Sequence, residues 1–251
     1  MALRAAAALL VVLGLAAPVR AADERNNPLA RARQLYNMGD FDAAIAAADE
    51  ARRAPERADG ADLIAARALL ERFRKASAPD DLTQARERLR RISADRFPAR
   101  ERLEYVVGLG EALFFADAPG AAAAVFDSVL QSPDAPLLDG RDLVLDWWAS
   151  AVDQDARPRM EFDRQALYGA VLTRMRAELG RNPGSSTAAY WAAAAARGRG
   201  DLQGAWSAAQ AAWARASLAP DHGERLRSDL DRLVQEALIP ERARTIGQPP
   251  D

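Results

Sequence analysis

The chain of 251 residues contains no cysteine. A disulfide framework, a thiol nucleophile and any Cys-based zinc site are therefore excluded. One histidine, His222, leaves little room for histidine-based metal centres or catalytic triads. Lysine is nearly missing too, with Lys75 alone against 33 arginines. Aromatic residues are only 6% of the chain, and no segment shows the apolar alternation of a half-buried strand. Neither sign of charge dominates: the formal net charge is −2 and the pI about 5.7, unlike a dedicated nucleic-acid binder. Past the N-terminus, no apolar run approaches the roughly 20 residues of a membrane-spanning helix.

What is present is helix-forming. Apolar residues make up 49% of the chain and charged residues 28%, enough to bury a core. Alanine supplies close to a quarter of the chain. It is the best helix former and a poor strand former, so an all-α fold with closely packed helices is expected.

The N-terminus has the layout of a secretory signal. Arg4 precedes an apolar run from Ala5 to Ala17, and Pro18-Val19-Arg20-Ala21-Ala22 follows. Val19 and Ala21 suit a cut between Ala21 and Ala22, so residues 1–21 are expected to be removed. The alternative is an uncleaved anchor, against which the shortness of the run argues. No cysteine follows the run, which excludes a lipoprotein anchor. Export is expected, to the periplasm in a diderm bacterium and otherwise to the outside.

Breakers divide the remainder into helices joined by short turns. Gly39-Asp40, Ala78-Pro79-Asp80, Ala118-Pro119-Gly120, Arg157-Pro158 and Gly200-Asp201 each separate two segments of three-and-four apolar spacing. Gly39 and Gly200 suit the left-handed residue that closes a helix, and Asp40 and Asp201 suit the N-cap of the next. About eleven helices are expected. They form five antiparallel pairs and a terminal helix from about Asp221 to Leu238, with a flexible tail over 239–251.

An internal repeat runs through this pattern. Ala32, Leu35, Gly39, Phe41, Ala44 and Ala48 form one unit. Leu109, Gly110, Leu113, Ala122, Phe126 and Pro133 form a second, and Ala193, Ala196, Gly200, Leu202, Ala205 and Ala209 a third. Ala44, Ala85, Ala122, Ala166 and Ala205 then recur at steps of 41, 37, 44 and 39 residues. These units resemble the tetratricopeptide-repeat family in degenerate form, through Gly39-Asp40-Phe41 with Ala44, Leu109-Gly110 with Leu113, Ala122, Phe126 and Pro133, and Gly200-Asp201-Leu202 with Ala205. The resemblance implies an α-solenoid of about five antiparallel helix pairs over residues 22–238, with a C-terminal capping helix. It also implies that the first helix of each pair lines a concave groove. Carried onto the matched units, the groove candidates are Arg33, Tyr36 and Asn37, then Glu111 and Phe114, then Tyr190, Ala194 and Arg197.

Signs of chemistry are weak. His222 lies in a predicted first turn of the final helix, with neither an orienting carboxylate nor a nucleophile indicated. Asp153, Asp155, Glu161 and Asp163 have the composition of a cation site or an acid pair, yet carboxylates at helix ends are ordinary. Arg199-Gly200-Asp201 is read as a helix-turn-helix corner, not an adhesion triplet. Adjacent Trp147 and Trp148 point about 100° apart on a helix and cannot share one core position. Tyr190 and Trp191 pose the same question, and burial is the expected fate of such scarce aromatics.

The expected function is that of an exported, non-catalytic scaffold that binds a protein or extended peptide in its groove, without cofactor, metal or nucleic acid. Two alternatives stand beside it. One is a structural or assembly subunit of a cell-envelope complex; the other is the helical accessory part of a polysaccharide-processing enzyme.

Overall fold

The computed structural model describes residues 27–219 and 221–246. The expected signal, residues 1–21, and the last five residues of the expected tail lie outside the described residues. Among the described residues there is no strand. The α-helices are α1 (Pro28–Asn37), α2 (Phe41–Ala51), α3 (Ala58–Ala76), α4 (Pro79–Arg91), α5 (Ala99–Phe115) and α6 (Pro119–Gln131). They continue with α7 (Arg141–Ala156), α8 (Glu161–Arg181), α9 (Ser186–Gly198), α10 (Leu202–Arg215) and α11 (Glu224–Leu233). A π-helical turn, Val234–Leu238, carries α11 directly into α12 (Ile239–Ile246), so the helical rods number eleven among the described residues.

Local chemistry sets the boundaries. Pro28, Pro79 and Pro119 open their helices, where a missing N–H costs nothing. The side chains of Asp40 and Asp201 accept hydrogen bonds from the N–H groups of Ala43 and Gly204, capping α2 and α10 as expected. Gly39 and Gly200 take φ of 77° and 78°, the left-handed geometry that stops α1 and α9.

The helices pack pairwise in sequence. A second set of contacts joins odd-numbered helices: α1 to α3, α3 to α5, α5 to α7, α7 to α9 and α9 to α11. Even-numbered helices pack on their odd neighbours instead. The largest core cluster lies in the middle, around Phe126, Leu145, Trp148, Val171 and Met175. There α5 and α6 meet at Gly110, where a Cβ would stand 2.6 Å from the Phe126 ring. No larger residue fits without displacing that fully buried aromatic.

Three expectations are corrected. Ala44, Ala85, Ala122 and Ala205 are fully buried, but Ala166 is exposed. In its unit the inward position belongs to Tyr168, whose ring fills the space over Gly198, 2.5 Å from where a Cβ would be. The expected tail begins later than Ile239, because α12 runs to Ile246 and its Glu241 is held by Arg197. His222 precedes the final helix instead of lying in its first turn: it sits at φ 53°, exposed, two residues before Glu224 opens α11.

Candidate binding surface

The odd-numbered helices bring side chains from several units onto one layer, and two clefts open there. The first, of about 350 Å³, lies over α1, α3 and α5 and includes Arg33, Tyr36 and Asn37. Arg67 of α3 places its guanidinium 4.6 Å from the centre of the Tyr36 ring while donating to Glu104 of α5 at 2.8 Å. Arg33 pairs with Glu101, and Arg100 bridges Glu104 at 3.1 Å and Asp139 at 2.6 Å. Burial pushes the Tyr36 phenol up, with Arg67 pulling it back down.

Glu111 and Phe114 lie behind this cleft and not in it. Glu111 is buried, and that burial pushes its carboxyl up to about 7. Arg67 and Arg74 draw it down, but both are committed elsewhere, Arg67 to Glu104 and Arg74 to Glu71. Phe114 joins Phe115 and Trp147 in an edge-to-face cluster, with ring centres 5.2–5.9 Å apart. Trp147 thus faces α5, while Trp148 enters the core under the Arg174 guanidinium.

The second cleft, of about 490 Å³, lies over α7, α9 and α11. Tyr190 lines it, together with Asp142, Asp146, Arg225 and Asp229. Two of its carboxylates accept from uncharged donors: Asp146 from Trp191 Nε1 at 2.7 Å and Asp142 from Ser185 Oγ at 2.9 Å. Ala194 is half-buried on α9. Arg197 is engaged within the fold, its Nε donating to both carboxylate oxygens of Glu241 at 3.0 and 3.1 Å.

The structure therefore gathers Arg33, Tyr36 and Asn37 in one place and puts Tyr190 in another. Arg67 and Asp146 were missed by sequence reading because α3 and α7 carry none of the residues on which the resemblance rests, and Glu104 because it lies more than a turn before Leu109-Gly110 on α5. The odd position of each helix in the chain was the only available signal. The acidic residues near Asp153 are answered locally: Asp153 accepts from Tyr168 Oη at 2.7 Å and pairs with Arg157, Asp155 pairs with Arg159, and Glu161 with Arg164. Compared with models of known protein families, with curated proteins and with solved structures, the chain matches none.

Proposed function

We propose that this chain is an exported, non-catalytic helical-repeat scaffold of tetratricopeptide-like build, which binds a protein or extended peptide along its odd-helix face. The observation that carries this reading is the asymmetry of packing. Odd helices pack on one another from unit to unit, whereas even helices make their main contacts with odd neighbours and meet one another through little more than ion pairs. A stack that is tighter on one side curves toward that side, so the odd face is the concave one. Both clefts over that face collect polar and aromatic side chains from three successive odd helices. No single unit supplies a complete site, which is how repeat proteins build extended binding surfaces.

The test places a photoreactive residue at Asn37 for the first cleft, at Thr187 for the second, and at the exposed Glu50 on the even helix α2 as control. Partners crosslinked in the native envelope are identified by mass spectrometry. Binding to Tyr36→Ala, Tyr190→Ala and His222→Ala variants is then measured by calorimetry. Crosslinks from Asn37 and Thr187 but not Glu50 are expected, with a loss of about 2 kcal/mol for an anchoring aromatic and none for His222. Folded Tyr36 and Tyr190 variants that bind like wild type would remove the groove reading. N-terminal sequencing of the exported chain tests removal of residues 1–21.

One feature favours the assembly-subunit reading. Trp213, 43% exposed, and Trp206 border an apolar cleft of about 350 Å³ with Leu230 and Val234 at the C-terminal end of the stack. Apolar surface of this kind is ordinarily covered in a complex.

A further inference from the structure

The gaps between even-numbered helices are of two kinds, and they alternate along the chain. Between α2 and α4 the gap is closed by Arg88, which reaches Asp49 of α2 and, at 2.9 Å, Asp62 of α3. Between α6 and α8 it is closed by Arg174, which lies over Trp148 and pairs with Asp127 of α6. The other two gaps are open grooves. The one between α4 and α6, about 450 Å³, has Leu89 and Val125 as walls and Leu109 and Leu113 as floor. The one between α8 and α10, about 610 Å³, has Leu172, Leu179 and Ala208 as walls and Ala192 as floor.

Each open groove is rimmed by two arginines, Arg86 and Arg90 in the first and Arg176 and Arg215 in the second. All four are exposed, and among the described residues none has a carboxylate within ion-pair distance. The single carboxylate beside the second groove, Asp201, is occupied in capping α10 through the Gly204 N–H at 2.7 Å. In the closed gaps, by contrast, the arginine is answered by an aspartate from the neighbouring helix.

We infer that the two open grooves are docking sites for an acidic amphipathic helix of a partner protein, one helix per groove, on the face opposite the odd-helix clefts. The partner's apolar ridge covers the leucine- and alanine-lined floor, and its flanking carboxylates supply what Asp49, Asp62 and Asp127 supply in the closed gaps. Gly204 to Arg215 on the second groove's wall covers about 16 Å, or three turns of a bound helix. Small floor residues let that helix approach closely, and the arginine forks fix its carboxylates. This mode, helix in groove with charged flanks, requires no change in the odd-helix face.

The probe is a fluorescein-labelled helical peptide of about 14 residues, with a leucine ridge flanked on both sides by glutamate. A second peptide carries lysine in place of every glutamate. Fluorescence anisotropy with the full chain is expected to show saturable binding of the glutamate peptide, one per groove, weakened about tenfold or more between low and high salt. The lysine peptide should not bind. Arg86→Ala with Arg90→Ala, and separately Arg176→Ala with Arg215→Ala, should each remove one binding equivalent, and the fourfold variant both. Circular dichroism should be unchanged throughout, because among the described residues none of the four arginines joins an ion pair. Equal binding of the lysine peptide, unchanged binding by the fourfold variant, or no saturable binding would overturn the inference. Self-association in sedimentation that the same variants abolish would overturn it as well, by giving the grooves to a second copy.

Discussion

Glu111 is the side chain with the least comfortable surroundings. It is only 9% exposed, and its two nearest arginines hold other carboxylates. Its carboxyl is raised from 4.5 to about 7, so the folded chain holds that proton more tightly than the unfolded chain does. Stability from this group is full below pH 4.5 and is lost as pH rises through about 7. The loss amounts to about 3 kcal/mol over that window. Glu111→Gln, which copies the protonated shape, should flatten it; urea melts near pH 5 and near pH 8 compare the two chains. Phe126 presents the opposite case, a fully buried ring seated on Gly110. Phe126→Ala should cost about 3–5 kcal/mol through the cavity it leaves. Gly110→Ala should cost about 1–3 kcal/mol through overpacking. Denaturant melts that show neither would move the α5–α6 contact elsewhere.

Helices here are joined by arginine as much as by apolar contact. Asp62 of α3, 2% exposed, is held at 3.0 Å by Arg52 at the end of α2 and at 2.9 Å by Arg88 of α4. Removing it takes one partner from Arg88, which keeps Asp49, and the partner of the more exposed Arg52. Asp62→Ala should therefore destabilise by about 1–2 kcal/mol, more than a surface ion pair but less than the loss of a fully buried one. Chemical denaturation of the single variant and of the Asp62→Ala/Arg88→Ala pair checks this, since a true coupling makes the second change cheaper than it is alone. The turns between helices were readable from the chain. Gly39-Asp40 and Gly200-Asp201 carry their own instructions, a left-handed residue followed by a capping carboxylate. Ala166 was misassigned because one alanine in a helix rich in small residues looks like any other. The inward face of α8 is instead Tyr168, Val171, Leu172 and Met175, at three-and-four spacing, with the Tyr168 ring seated over Gly198.

Across the molecule, the core is thickest in the middle. The cluster around Phe126, Trp148 and Met175 draws on α5 to α9, whereas the N-terminal cluster of Ala32, Ala47, Ala48 and Ile64 is small and mostly alanine. Because each helix packs chiefly on its neighbours in the chain, opening should begin at the ends. Hydrogen–deuterium exchange is expected to be fastest in α1 and α12 and slowest in α5 to α8. Uniform protection from end to end would show instead that the stack opens as one unit.

Composition and breaker spacing were enough to establish an all-helical chain, the number of helices, most of their ends and their pairing in order. These depend on short-range physics: alanine's helix propensity, proline at first positions, glycine at left-handed stops and aspartate at caps. The resemblance to tetratricopeptide repeats, and not the spacing itself, brought Tyr36 and Tyr190 forward as groove candidates. It did not separate Tyr36, in a cleft, from Phe114, packed in an aromatic cluster behind it. Nor did it show Arg197 tied to Glu241, 44 residues further on. Which arginines pair within the fold and which are left at a groove rim was settled only by the packing of helices from different units. An ion pair needs two side chains within about 4 Å, and nothing in local sequence encodes a distance across units.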